Sequence, residues 1–415
     1  MSAVSTQVRA RRRDTLPPAL WLVVTGLLLA ALNLRTAVTS IGPLLAEIQA
    51  GLSTSAAMAG VLTTLPVICF AALGGVTPAL VRRFGDRIVL LTALGAMVLG
   101  LVVRSSVTSV PVFLLASAAA LAGGAVGNVA IPTIVKRYFP DRIGPLTTAY
   151  STSLAVGAML AAAVTVPVEQ ASGGDWQLAL GVWVVPALVA MVPWLLLRRP
   201  PAPPSHTAVP AAPARVRGIG RSRLAWMMLV AFGCQSLIAY VMFGWLPEIM
   251  RDHGYSSAEA GVMLAVFTGI SIPISLVIPV LAARRPTQRG MMLFLVSGYL
   301  LGLPAMWWGG NAVVTWVGLV LTAVAMGTFP LMLTLFALRT RTPTGTAALS
   351  AFAQSGGYLM AGVGPLLVGV LFEATGSWTL PFALLLVTAV VYAVAGWTTT
   401  GPHHLEDELP PETAG

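Results

Sequence analysis

Long apolar runs follow one another along almost the whole chain, separated by short stretches that hold most of its charged and turn-forming residues. They fall at 19–46, 56–80, 88–108, 110–135, 143–168 and 178–198, then at 224–248, 257–282, 290–309, 311–338, 344–373 and 376–398. A helix needs about 20 apolar residues to cross a bilayer core. In hydrocarbon it satisfies its own backbone N–H and C=O groups, so runs of this length predict spanning helices. A membrane β-barrel would instead show segments of about ten residues with alternating polarity. The pattern therefore predicts an all-α membrane protein of twelve transmembrane helices.

The one long interruption, residues 199–223, is rich in Pro, Ala and Arg and has no apolar periodicity. It reads as a flexible linker between two six-helix halves, 19–198 and 224–398, flanked by tails at 1–18 and 399–415. The second tail is short and acidic and is expected to be unstructured. The halves echo each other. Residues 141–176 and 343–378 each run from a turn through a Ser/Gly-rich helix to a Gly-rich turn ending in Trp. At the same offset of 202 residues, Arg137 matches Arg339 and Asn33 matches Gln235.

Only 9% of the residues are charged, against about a quarter in a soluble domain, which makes lipid rather than water the main solvent. The net charge of +10 does not indicate nucleic acid, because the arginines cluster between apolar runs and form no basic stripe with exposed aromatics. If the N-terminus is cytoplasmic, 21 of the 24 Lys and Arg residues fall on the cytoplasmic face. The positive-inside rule then predicts an inner-membrane protein with both termini cytoplasmic. Arg104 and Arg251 fall at the outer side. Trp176, Trp245 and Trp378, at helix ends, read as interfacial anchors.

Cys69 and Cys234 lie inside apolar runs and read as small buried hydrophobes. No ligand spacing indicates a metal, no phosphate loop indicates nucleotide hydrolysis, and no cofactor is expected. No His or acidic residue lies within a span core, so the clustered base, nucleophile or metal set of an intramembrane enzyme is missing, and no catalytic residue is assigned. A sensor would carry a folded output domain, for which the linker and tails are too small.

Within the spans, polar side chains are costly without a partner or a wet cavity. Arg35 lies 16 residues after Ala19, about 24 Å along a helix, and is the only ionisable residue placed deep in a span. Two readings stand: a guanidinium snorkelling to the headgroups or pairing with carbonyls, or one facing a central cavity. In the second, a permanent cation without an acidic partner suits an anionic, nitro- or carboxylate-bearing ligand held by paired hydrogen bonds. The other mid-span candidates for substrate contact are Asn33, Asn128, Gln235, Tyr240, Gln354 and Tyr358. Ser151, Ser153 and Ser355 read as interhelical glue.

Four stretches, NLRTAVTSIGPLL (33–45), VKRYFPDRIG (135–144), QSLIAYVMFGWLPEIMRDHGYSSAEAG (235–261) and GPLLVGVLFEATGSW (364–378), resemble the cyanate and nitroimidazole permease family of the major facilitator superfamily. The resemblance covers nearly the whole chain apart from linker and tails. It implies two parallel six-helix repeats that rock about a midplane site, and transport of small anionic or nitro-bearing solutes with Arg35 and Asn33 as contacts. The loop PALVRRFGDR (78–87) keeps Arg83 and Gly85 of the superfamily's signature but has Pro78 for its Gly, and Arg82, Arg83, Gly85, Asp86 and Arg87 are expected to form a cytoplasmic gate. It carries Arg82 where the signature has Asp, so the resemblance does not carry over the Asp-centred charge pair. The mid-helix Gly-Pro pair of drug antiporters is absent from the fifth helix, while Gly364–Pro365 sits in the eleventh.

The expectation is a monomeric secondary transporter of a small solute in the bilayer, driven by a gradient. Proton coupling has no carboxylate in a span core; Glu47, Glu248 and Glu373 at outer helix ends are the acids available. The alternative is a multidrug or metabolite efflux transporter in which Arg35 is structural.

Overall fold

The computed structural model describes residues 18–74, 76–197 and 218–409. Among these residues it contains helices and turns and no strand, and twelve helical spans are long and apolar enough to cross a membrane. Spans one to six are Leu20–Leu52, Ala56–Leu73, Asp86–Arg104, Val110–Tyr138, Gly144–Ala171 and Trp176–Leu196. Spans seven to twelve are Arg223–Asp252, Ser257–Ala283, Arg289–Trp308, Ala312–Leu338, Thr344–Thr375 and Thr379–Thr399. Their even number puts Pro18 and the residues after Thr399 at one end of the bundle, here called the terminal end; the opposite end is the far end. The N-terminal tail over residues 1–17, most of the expected linker (199–217) and the end of the second tail (410–415) lie outside the described residues.

Each half has its own buried core at the terminal end, around Val23, Met97 and Trp194 in the first and around Met228, Met292 and Tyr392 in the second. A third core spans both halves at the far end. The halves meet along two seams, span two on span eleven and span five on span eight.

Span one is not the single helix its apolar run predicts. It stops at Asn33, resumes at Thr36–Thr39, turns through Gly42–Leu44 and continues as Leu45–Leu52. Local side chains explain the break. Asn33 Nδ2 donates to the Leu29 carbonyl at 2.8 Å, competing with the helix for that acceptor. Thr36 Oγ1 then donates to the Asn33 carbonyl (2.8 Å), and Thr39 Oγ1 to the Arg35 carbonyl (3.0 Å), which also accepts the Val38 and Thr39 N–H groups. Span five closes in at Gly157, where a Cβ would fall 1.8 Å from the Leu32 carbonyl oxygen; only glycine fits.

Two further expectations, on the tail and on the tryptophans, are corrected. The tail after Gly401 is docked up to residue 409, not unstructured. Leu405 is fully buried and donates its N–H to the Arg339 carbonyl. Glu406 accepts from the N–H groups of Arg341 and Thr342, and Glu408 from Leu224 N–H and the Ser222 hydroxyl. The acids succeed there because they meet unpaired N–H groups at the starts of spans seven and eleven. Trp245 and Trp378 are core residues rather than interfacial anchors: both are buried, and their indoles donate to the Pro365 carbonyl and to Asp252. Arg104 is also fully buried.

An Asp-centred charge pair does exist at the signature loop. Asp86, buried at the start of span three, pairs with Arg137 at the end of span four at 2.9 Å. The second half repeats this at the 202-residue offset with Gln288 and Arg339, whose side chains are hydrogen-bonded. Arg339 also donates to the carbonyls of Thr399 and Thr400, as Arg87 does to those of Trp194 and Leu195, so each arginine caps a helix C-terminus. Arg82 and Arg83 stay exposed, with Arg83 over the Phe84 ring.

Candidate functional site

Arg35 sits at the joint of broken span one, 15 residues from one end of the span and 17 from the other. Its guanidinium carbon stands 5.5 Å from the centroid of the Phe243 ring, on span seven of the opposite half. Among the described residues no carboxylate lies within ion-pairing distance of it. Phe243 in turn packs edge-on against Tyr240, and Tyr240 against Tyr358, which links Arg35 to two phenols. Those two rings lie 6.4 Å apart, Tyr240 meets Phe243 at 6.3 Å, and Tyr358 meets Phe70 of span two at 6.2 Å and Phe232 at 5.1 Å. The result is a cation and two phenols in an aromatic frame drawn from both halves.

The frame sits where the halves begin to part. At the far end they are closed: Glu47 pairs with Arg251 at 2.8 Å, and Glu373 accepts from the Ala57 N–H at 2.7 Å. Among the described residues these are the only two side-chain hydrogen bonds between the halves. Toward the terminal end the seam opens. No residue of span five from 144 to 156 is buried, whereas buried residues recur from 157 to 166.

The other predicted contacts are placed differently. Asn33 is fully buried between spans one and six, its amide donating to Leu29 and, at 3.0 Å, to the Pro186 carbonyl. Its repeat mate Gln235 is also fully buried and donates within span seven to Phe232 O and Ser236 Oγ. Each leaves its amide oxygen without a partner. Gln354 is half-buried and donates to Ser350 Oγ at 2.6 Å; Asn128 is half-buried on span four. Arg35, Tyr240 and Tyr358 are thus brought together. The structure adds Phe70, Phe232 and Phe243, which polar residues alone did not signal, although Phe243 lies three residues after Tyr240 and so shares its helix face.

The profile of the Major Facilitator Superfamily matches residues 27–361. The chain belongs to that superfamily. This major facilitator is similar to the 2-nitroimidazole transporter of Escherichia coli (strain K12), at 34% identity over 376 residues covering 90% of this chain and 94% of that protein. It is similar to the cyanate transport protein CynX of the same organism, at 30% identity over 373 residues covering 86% and 91%. Among solved structures it is similar to a bacterial homolog of the human lysosomal transporter Spinster in an inward-facing, occupied conformation, with a TM-score of 0.78 at 15% identity, covering 96% of this chain and all of that one. At that identity the likeness speaks for the fold alone. Family and fold make this major facilitator a multi-pass membrane transporter of a small solute and not an enzyme.

Proposed function

We propose that this major facilitator moves a small anionic or nitro-bearing solute by alternating access, with Arg35 as the charge that binds it. The observation that carries this reading is an uncompensated guanidinium at the midpoint of span one, facing an aromatic ring of the other half. Holding such a cation in hydrocarbon is costly, and a small planar anion or nitro group would offset that cost by accepting two parallel N–H bonds. Tyr240 and Tyr358 add hydroxyl donors, and the aromatic faces suit a flat solute. The names of the two Escherichia coli relatives, a nitroimidazole and a cyanate transporter, fit that chemistry.

The cluster of arginines at the terminal end supports an orientation with both termini in the cytoplasm of an inner-membrane protein. The far end then faces outward, and the conformation here is open to the cytoplasm. Glu47, Glu248 and Glu373 are the acids placed for proton coupling at the far end. Uptake of radiolabelled cyanate, small carboxylates and 2-nitroimidazole by a deletion strain and its complemented parent tests the assignment. Complementation-dependent flux of a compound in this class supports it. Flux confined to bulky hydrophobic cations would replace it with drug efflux.

A further inference from the structure

Arg35 is only half-buried, but elsewhere the first half encloses a guanidinium completely. Arg104, the last residue of span three, is fully inaccessible to solvent. It donates to the Ala37 carbonyl at 3.0 Å and to Ser40 Oγ at 3.1 Å, both on the piece of span one just beyond the break. Its Nε has no partner, and among the described residues no acid pairs with it. A buried, unpaired cation is costly, and here its compensation comes from the carbonyl and hydroxyl groups of that short piece. Arg104 is therefore bound to the far piece of span one far more strictly than an ordinary helix contact.

The far piece, residues 36–52, has two owners in this conformation. Arg104 ties it to the first half. Glu47–Arg251 ties it to the second, and so does Gly42, where a Cβ would fall 2.7 Å from the Phe243 carbonyl oxygen. Opening the far end must sever one set. The Glu47 and Arg251 side chains are 21% and 27% exposed, so water can replace their bond. The bonds of Arg104 are dry, and breaking them would strand a charge. The second-half set is the one to give way.

We propose that Arg104 is a positioning residue that assigns the far piece of span one, and with it the joint carrying Arg35, to the first half whenever the far end opens. Arg35 then parts from Phe243 as the halves separate, and the frame around the solute is dismantled at each cycle. This rests on the alternating-access reading above, but its test needs neither a substrate nor flux.

Spin labels are placed at Ser53 (tip of the far piece), Thr108 (first half) and Ala374 (second half), after Cys69 and Cys234 are replaced by Ala. The far end is wedged open with Gly369→Trp, because even a Cβ there would lie 2.5 Å from the Ala56 carbonyl oxygen across the seam. With Arg104 present, the wedge lengthens the Ser53–Ala374 distance and leaves Ser53–Thr108 as a single unchanged distance. In R104M the wedge splits or lengthens Ser53–Thr108 instead. R104K restores the single distance, and Ser40→Ala, which removes one bond and keeps the guanidinium, gives an intermediate population. An unchanged Ser53–Thr108 distance in wedged R104M, or one that splits with Arg104 intact, overturns the proposal.

Discussion

Arg35 and Phe243 face each other across the two halves, a guanidinium carbon 5.5 Å from a ring centroid, and among the described residues no carboxylate pairs with the guanidinium. A cation over an aromatic face gains about 0.5–2 kcal/mol, much less than the cost of its burial. The contact engages the ring face, and among the described residues the guanidinium N–H groups make no hydrogen bond.

Those N–H groups set the first prediction. Hydrogen bonds to a charged group contribute about 1.5–3 kcal/mol each, so Arg35→Lys, which keeps the charge and loses the paired geometry, should raise KM for an anionic substrate by about 10-fold. Tyr358→Phe should cost less than Arg35→Lys, because it removes a neutral donor. Initial-rate uptake in proteoliposomes ranks the two, and a Tyr358→Phe defect larger than that of Arg35→Lys would move the binding role away from the guanidinium.

The close packing of span five on span one, next to the break, depends on Gly157. Any side chain there collides with the Leu32 carbonyl, since even a Cβ would fall 1.8 Å away. Gly157→Leu should destabilise the folded protein by about 1–3 kcal/mol or more, the usual cost of overpacking. Thermal unfolding in detergent measures it, with Gly144→Leu, where nothing lies within 4 Å of a Cβ, as the tolerated control.

The repeat at the gate makes a graded prediction. Asp86 is nearly inaccessible while Arg137 is 21% exposed, so losing the pair should cost about 1–3 kcal/mol after allowing for solvent at the arginine. The second half already uses an amide at the matching position, Gln288. Asp86→Gln should accordingly be milder than Asp86→Ala in thermal unfolding, and equal losses would show that the hydrogen bond to Arg137 contributes nothing.

The docked tail should respond to acid. The Asp407 carboxyl is held below its ordinary range by the hydrogen bond from Arg341. Burial alone raises Glu406, but the N–H groups of Arg341 and Thr342 and the Thr342 hydroxyl outweigh it and leave that carboxyl low as well. Groups lowered on docking stabilise the docked form fully above the ordinary carboxylate range, about pH 4, and lose that contribution as pH falls through the lowered values. A spin label at His403 should therefore be immobile at neutral pH and become mobile only below about pH 4. In Glu406→Gln it should be mobile at neutral pH too.

The apolar runs made the twelve spans legible, because hydrocarbon allows a backbone few other arrangements. Arg35 was legible for the same reason, as a charge where charges are expensive. Three features were not. The break beside it rests on Asn33, whose amide bonds its own helix and is also held by Pro186, 153 residues away. The docking of the tail depends on helix starts that the sequence scatters from Ser222 to Thr342. Arg104 closes an apolar run at the outer side; only the folded path of span one places a carbonyl and a hydroxyl before it. The amides show the opposite error. Asn33 and Gln235 read as cavity groups by polarity, yet their hydrogen bonds lie inside their own halves.

The central claim is that Arg35 binds an anionic or nitro-bearing solute, and the most direct measurement is uptake of labelled cyanate and 2-nitroimidazole into proteoliposomes carrying wild type or Arg35→Ala. Wild type should show saturable flux of one of these, and the variant, shown to be folded by its thermal unfolding, a loss of about 10- to 100-fold. Wild-type flux in a folded Arg35→Ala protein would contradict it and make Arg35 a structural residue.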